Sequence, residues 1–185
     1  MRFWLLSNTT YGTWLLGSPR GSVTSVRDRR ADDELTRFRF EHDMPGEPWE
    51  KSIPGIYRAA LEQMKGPPIF LDLTKAELLL AQFLETAAFR HWTILAVSIM
   101  RNHFHMVVQV LDDPAPKKVL ADFKAYGSRK LNQHYGIPPS ETWWTTNGSK
   151  RKLEGESHLE NAVRYVLYKQ PNPLVVYSLE LGRIV

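Results

Sequence analysis

The sequence predicts an α+β fold in which an antiparallel sheet packs against helices. Residues 92–99 and 103–110 are both rich in β-forming residues and are separated by a short polar turn, so together they predict an antiparallel hairpin. Directly before them, the capping box Thr74-x-x-Glu77 opens a segment with apolar residues at helical spacing. We expect this helix to pack against the apolar side of the hairpin.

The other elements follow from the same two periodicities. Residues 3–9 are rich in β-formers and predict a first strand. Helical spacing predicts further helices over residues 54–65, 117–135 and 156–168, and a glycine or a proline follows each of them closely. Residues 174–177 predict a short edge strand.

Length and composition favour a single domain over residues 1–185. Hydrophobic residues make up 43% of the 185 residues, which is enough for a buried core. Residues from about 20 to 66 are expected to form a surface insertion, because the stretch from 20 to 48 is polar and dense in charge.

The sequence also excludes several classes of site and of partner. It contains no cysteine, so disulfides, zinc–thiolate sites and cysteine nucleophiles are ruled out. The N-terminal apolar run is too short for a signal peptide and no stretch is long enough to span a bilayer, so we expect a cytoplasmic protein without a membrane partner. The formal net charge of +4 fits a polyanionic partner without identifying one.

Two histidines flank one apolar residue at the start of the second hairpin strand. Side chains alternate along a strand, so His103 and His105 point to one face while Phe104 points to the other. Two imidazoles side by side form half of a metal site; the alternative is a pair of exposed or hydrogen-bonded histidines without a metal. Because cysteine is absent, the remaining ligands would be carboxylate, amide or water, which favours Mg²⁺ or Mn²⁺ if phosphate is involved.

A metal beside a phosphate needs an attacking group, which here is Ser, Thr, Tyr or water. Tyr126 lies on the helix that follows the histidine strand, and Tyr135 is the alternative if the helix register differs. A phenolate is a fair leaving group, because phenols have a pKa of about 10, so a phosphotyrosine link can be reversed. Lys124, Arg129 and Lys130 on the same helix are candidates for balancing phosphate charge.

A second candidate surface combines aromatic and basic residues. Trp143 and Trp144 precede a Gly-Ser turn, which leads into the basic cluster Lys150, Arg151 and Lys152. Stacking aromatics with nearby cations are typical of grooves that bind single-stranded nucleic acid. The alternative is a pair of core tryptophans beside a solvated basic turn, and the sequence leaves both interpretations open.

Several motifs resemble a known family. The Met-x-Asn-His-x-His run of residues 100–105 and the segment Lys-Ala-Tyr-Gly-Ser-Arg-Lys-Leu-Asn of residues 124–132 resemble the single-tyrosine HUH transposases of the IS200-like family. Segments 13–21, 143–151 and 165–170 look most like its branch of REP-associated tyrosine transposases. The resemblance covers most of the chain.

This resemblance implies a ferredoxin-like or RRM-like HUH nuclease fold and a metal-dependent transposase. His103 and His105 would be ligands of Mg²⁺ or Mn²⁺. Tyr126 would cleave single-stranded DNA, becoming joined to its 5′-phosphate and leaving a 3′-hydroxyl. The DNA would carry hairpin ends, and the protein would act as a monomer or a homodimer.

Two positions depart from the family pattern. Arg101 stands where the family commonly has proline, which alters the turn before the histidines but not the histidines themselves. Lys130 stands one helical turn after Tyr126, where some relatives carry a third ligand, and a charged lysine cannot bind a metal. The remaining candidates for that ligand are Asp122, Asn132, Gln133 and water.

Two other functions are compatible with the sequence. A domesticated relative could bind hairpin or single-stranded DNA without cutting it; the intact His103, His105 and Tyr126 argue against this, whereas the missing third ligand favours it. A metal hydrolase that uses water on a small phosphodiester would need a carboxylate near the histidines, and their strand contains none.

Overall fold

A computed structural model of the chain describes residues 1–19, 53–111 and 114–184. Within these residues the strands are β1 (Arg2–Thr9), β2 (Thr93–Ile99), β3 (His103–Val110), β4 (Ser149–Leu153), β5 (Val175–Ser178) and β6 (Gly182–Arg183). The helices are α1 (Pro54–Glu62), α2 (Leu73–Phe89), α3 (Pro116–Tyr135) and α4 (Glu156–Tyr168). Among the helices so described, none is both long enough and apolar enough to cross a bilayer.

The strands form one antiparallel sheet, which confirms the predicted fold class of a sheet flanked by helices. Their spatial order is β4-β1-β3-β2-β5-β6, and every neighbouring pair is antiparallel. The predicted hairpin is the β2–β3 pair. The prediction that residues 174–177 form an edge strand is wrong, because β6 pairs with the outer side of β5. Strand β3 is in the middle of the sheet, between β1 and β2.

The chain divides into two compact units, residues 1–13 with 65–185 and residues 14–64. The sheet and helices α2 to α4 belong to the first unit. In the second, α1 begins at Pro54, whose fixed φ and missing N–H suit the first position of a helix. A single domain with a surface insertion remains a prediction, and residues 20–52 lie outside the described part of the chain.

The side chains of β3 alternate between two environments. Phe104, Met106 and Val108 are fully buried on the face that α2 and α3 cover. On that face the rings of Phe83 and Phe104 lie 5.1 Å apart between centroids. Val107 points the other way and packs with residues of α4 in a second apolar cluster. The odd-numbered residues of β3 therefore face α4.

Helix α2 starts earlier than its predicted capping box. Asp72 is the N-cap residue, and its carboxylate accepts a hydrogen bond from the backbone N–H of Lys75 at 2.9 Å. The prediction that Thr74 caps this helix is wrong, because the helix begins at Leu73 and Thr74 already lies inside its first turn. The predicted apolar stripe is present, since Leu79 and Phe83 are fully buried.

Gly148 occupies a point between β1 and α3 where no side chain fits. A Cβ added there would lie 2.5 Å from the Ser7 carbonyl oxygen and 2.7 Å from Leu120 Cδ2. We expect Gly148→Ala to lower the free energy of unfolding by about 1–3 kcal/mol, the usual cost of overpacking. Urea denaturation followed by circular dichroism measures this change.

Gly55→Ala is the matched control, because nothing lies within 4 Å of a Cβ at that helical position. We expect it to be neutral or stabilising, since alanine is the better helix former. Equal free energies of unfolding for the two variants would contradict the crowding at Gly148.

Candidate active site

His103 and His105 lie next to each other on the face of the sheet that α4 covers. Their ring centroids are 5.0 Å apart, and the ring planes are nearly perpendicular, at 81°. Both side chains are half-buried. The expected arrangement of two imidazoles on one face of the strand is therefore present.

Each imidazole is oriented by a hydrogen bond through its Nδ1 atom. His103 Nδ1 donates to Asn102 Oδ1 at 2.7 Å; because an amide oxygen only accepts, the proton is on Nδ1 and the lone pair is on Nε2. His105 Nδ1 shares a hydrogen bond of 2.5 Å with Ser7 Oγ. Ser7 faces His105 across the β1–β3 ladder, so the sheet register supplies this partner.

Burial keeps both imidazoles neutral at physiological pH. It lowers the pKa of His103. Burial, together with the neighbouring charge of His103, lowers the pKa of His105 to about 3. A neutral imidazole with an open nitrogen is the form that binds a metal ion. His103 has that nitrogen at Nε2, and His105 has it when its Nδ1 donates to Ser7 Oγ.

Tyr165 of α4 lies against the histidine pair. Its ring centroid is 5.3 Å from that of His105, with 68° between the ring planes. The residue is 42% exposed, so part of it is open to solvent. Helix α4 buries Ala162 and Val166 against the sheet, and this packing brings Tyr165 to the histidines. Sequence reasoning gave Tyr165 no role, although the family resemblance of residues 165–170 was a signal that could have found it.

The structure does not bring Tyr126 to the histidines. Tyr126 lies on α3, which packs against the sheet face opposite the imidazoles through Phe123 and other core residues. The guanidinium carbon of Arg129 lies 5.0 Å from the centroid of the Tyr126 ring. Tyr135 is on the same helix, with the Lys75 ammonium group 4.5 Å from its ring centroid. Both phenols therefore belong to a helix on the sheet face opposite the imidazoles.

Two of the candidate third ligands are engaged elsewhere. The Asp122 carboxylate forms an ion pair with Arg90 at 3.0 Å, and Asn132 Oδ1 accepts a hydrogen bond from Trp143 Nε1 at 2.7 Å. Gln133 is exposed on α3. Within residues 1–19, 53–111 and 114–184, no three His, Asp or Glu side chains are grouped so that they could hold a metal ion. Of the candidates that the sequence left open, Gln133 and water are not engaged elsewhere within the described residues.

The two tryptophans of the predicted stacking surface belong to the core. Trp143 is 5% exposed and Trp144 is 3% exposed. Trp144 Nε1 donates to the Lys124 carbonyl oxygen at 3.1 Å, and its ring contacts that of Phe104 at 5.5 Å between centroids. Neither indole offers an open face to a base, so the predicted nucleic-acid contact does not fit these positions and the core interpretation does.

Lys124 and Lys150 donate hydrogen bonds to backbone carbonyls on the face of the sheet opposite the imidazoles. Lys124 Nζ donates to the carbonyl oxygens of Thr145 and Thr146 at 2.6 and 3.2 Å. Lys150, which is opposite the core residue Leu6 in the ladder, donates to the Gly148 carbonyl at 2.6 Å. Burial and the charge of Lys150 lower the pKa of Lys124 to about 8.

The other predicted cations are distributed over the surface. Arg151 pairs with Leu5 in the ladder, and Leu5 packs in the apolar cluster on the imidazole face, so Arg151 is on that face. Lys152 forms an ion pair with Glu154 at 2.7 Å. Arg129 and Lys130 lie on α3. Of these predicted DNA contacts, Arg151 alone shares a face with the imidazoles.

Comparisons with known proteins place this site in a family context. A family model described as IS200-like transposase matches residues 70–168, which is more than half of the chain and includes the histidines, Tyr126 and Tyr165. Among solved structures, the chain is similar to a REP-associated tyrosine transposase bound to a REP hairpin, with a TM-score of 0.47 and 9% sequence identity. That similarity covers 89% of this chain and 64% of the other, so this chain spans less than two thirds of its length. No curated protein matches the chain.

Lys124 makes stability depend on pH in the alkaline range. Its pKa is about 8 in the folded protein, whereas lysines in an unfolded chain have a pKa of about 10.4. Between these values the unfolded state binds more protons, so the contribution of Lys124 to the free energy of unfolding rises with pH. We expect Lys124→Met to reduce the increase of the free energy of unfolding with pH. Urea denaturation at a series of pH values between about 8 and 10.4 measures this increase.

Lys118→Met is the control, because Lys118 is exposed on the same helix. We expect this variant to keep the pH dependence of the unsubstituted protein. The same slope in the Lys124→Met variant as in the unsubstituted protein would show that Lys124 is not the group responsible.

Proposed function

The chain belongs to the IS200-like transposase family, and from this premise we propose that it cleaves single-stranded DNA and transfers the cut strand through a covalent 5′-phosphotyrosine intermediate. The observation that supports the proposal most strongly is the pair of oriented, neutral imidazoles with a phenol against one of them. The proposed substrate is single-stranded DNA with hairpin ends. The functional unit is a monomer or a homodimer.

In this proposal His103 and His105 hold Mg²⁺ or Mn²⁺. Their ring centroids are 5.0 Å apart, and the hydrogen bond to Asn102 leaves His103 Nε2 with a lone pair. A divalent cation there would neutralise charge on a phosphate oxygen and so make the phosphorus easier to attack. Asn102 and Ser7 form hydrogen bonds with the Nδ1 atoms of the two imidazoles. Such hydrogen bonds to metal ligands set the orientation of the ligand rings.

We assign the attack to Tyr165, because its ring is 5.3 Å from that of His105 and on the same side of the sheet. The phenolic oxygen forms a bond to phosphorus, and the bond from phosphorus to the 3′-oxygen of the preceding nucleotide breaks. The phenol loses its proton to water, and the departing 3′-oxygen takes up a proton. Rejoining is the reverse reaction, in which a free 3′-hydroxyl attacks the phosphotyrosine.

Tyr126 remains the alternative nucleophile that the sequence favoured. Its use requires α3 to leave the face on which Phe123 and Leu131 are fully buried, or a Tyr126 from a second copy of the chain. Arg151 supports the approach of the DNA backbone, since it is the predicted cation on the imidazole face. Contacts of the other predicted cations with DNA stay predictions.

A second candidate function is a module that binds hairpin or single-stranded DNA without cutting it. The observation in its favour is that the described residues contain no third His, Asp or Glu beside the imidazoles. Binding to DNA that is unaffected by chelator, without cleavage in Mn²⁺, would support this function over strand transfer.

Covalent capture distinguishes the two tyrosines and the two functions. We expect the protein incubated with Mn²⁺ and a hairpin-bearing single-stranded oligonucleotide to gain the mass of the cleaved DNA, as measured by mass spectrometry of the intact protein. Tyr165→Phe should abolish this gain, because a phenyl ring has no oxygen to attack phosphorus, while binding to the oligonucleotide is retained.

Tyr168→Phe is the control, because Tyr168 is an exposed tyrosine one turn further along α4. It and Tyr126→Phe should both form the adduct. Loss of the adduct in Tyr126→Phe with retention in Tyr165→Phe would reverse our assignment, and absence of an adduct in the unsubstituted protein would favour the binding module.

Metal affinity tests the histidine pair without involving DNA. We expect His103→Ala to abolish Mn²⁺ binding, measured by isothermal titration calorimetry. Asn102→Ala should weaken it by about 10–100-fold, the usual effect of removing a group that orients a ligand. Asn102→Asp keeps an oxygen acceptor for His103 Nδ1 and should restore most of the affinity.

His158→Ala is the control for these measurements, because His158 is exposed on α4. Its Mn²⁺ affinity should equal that of the unsubstituted protein. Unchanged affinity in His103→Ala would remove the metal site from the proposal.

A further inference from the structure

Phe70 is a large aromatic residue that the core does not use. It is 49% exposed, whereas the next residue, Leu71, is 3% exposed. Ile69 on its other side packs against the core cluster. Side chains alternate along this extended segment, so Phe70 points away from the core at the end of the sheet where β3 begins. Burial of apolar surface therefore does not explain a phenylalanine at this position.

Arg101 lies over the Phe70 ring. Its guanidinium carbon is 4.9 Å from the ring centroid, within the range of a cation–π contact. Arg101 is exposed, and no carboxylate of the described residues forms an ion pair with it. The pair therefore combines an aromatic surface with an uncompensated positive charge.

Backbone hydrogen bonds hold this pair in a fixed place relative to the histidines. Leu71 N donates to the Arg101 carbonyl oxygen at 2.6 Å, which ties the Phe70 segment to the turn between β2 and β3. In the same turn, Met100 N donates to the His103 carbonyl oxygen at 2.8 Å. Arg101 is two residues from His103, so their Cα atoms are at most about 7 Å apart.

We propose that Phe70 and Arg101 form a binding site for an unpaired nucleotide next to the histidine pair. The base stacks on the exposed part of the Phe70 ring, and Arg101 pairs with a phosphate of the same strand. The inference rests on the proposed function in that the ligand is single-stranded DNA. It does not depend on cleavage, on a metal ion or on the identity of the nucleophile.

The chain contains a similar pair that serves as an internal control. Phe89 is 70% exposed, and the guanidinium carbon of Arg90 is 5.6 Å from its ring centroid. This pair is at the opposite end of α2 from Phe70, and Arg90 is already paired with Asp122. A helix of 17 residues is about 25 Å long, so Phe89 is remote from the histidines.

Fluorescence anisotropy with a labelled oligothymidylate of about 12 nucleotides, in EDTA, tests the site without cleavage. We expect Phe70→Ala and Phe70→Leu to weaken binding by about tenfold, because both remove the aromatic surface. Phe89→Ala should bind within about twofold of the unsubstituted protein, as expected for a remote surface residue. Arg101→Ala should reduce the slope of log affinity against log salt by about 0.7, the value for one phosphate contact on a single strand.

An abasic oligonucleotide of the same length separates stacking from damage to the fold. The unsubstituted protein and Phe70→Ala should bind it equally, because there is no base to stack. Equal affinities of Phe70→Ala and Phe89→Ala for oligothymidylate would overturn the inference, as would failure of the unsubstituted protein to bind it. If the proposed strand transfer is wrong but this inference is right, no covalent adduct forms and Phe70→Ala still weakens binding to oligothymidylate.

Discussion

Strand β3, of eight residues, contributes its even-numbered side chains to the core and both histidines to the candidate metal site. Neighbouring strands fix its register from both sides, with Thr9 opposite His103 in β1 and Ile99 opposite Phe104 in β2. A shift by one residue would bury the imidazoles under α2 and α3 and would move Phe104 to the face that α4 covers. The same apolar packing that stabilises the sheet therefore sets the direction in which both histidines point.

Local periodicity was sufficient to predict the elements on which this arrangement depends. The period of two along β3 placed both histidines on one face, and the helical period identified α2, α3 and α4. The same local information could not decide the role of Trp143 and Trp144, because core tryptophans and stacking tryptophans look alike beside a basic turn. The decision came from long-range packing, in which the Trp144 ring meets Phe104 and approaches Gly127.

Which tyrosine meets the histidines is also a long-range property. Tyr126 and Tyr165 both lie on helices that follow the histidine strand, so periodicity does not distinguish them. The distinction arises because the chain passes from α3 through β4, on the edge beside β1, before α4 covers the other face of the sheet. Sheet order and side of packing are not encoded in any single segment, so the sequence alone did not indicate that Tyr165 lies beside His105.

The two edges of the sheet differ in length and charge. On one edge β4 carries Lys150, Arg151 and Lys152 in succession, and on the other β6 has only two residues. Two copies of the chain that tried to extend the sheet through β4 would bring like charges together, and β6 offers too few backbone groups for a ladder. The charge of β4 and the shortness of β6 therefore both disfavour edge-to-edge association of the sheet.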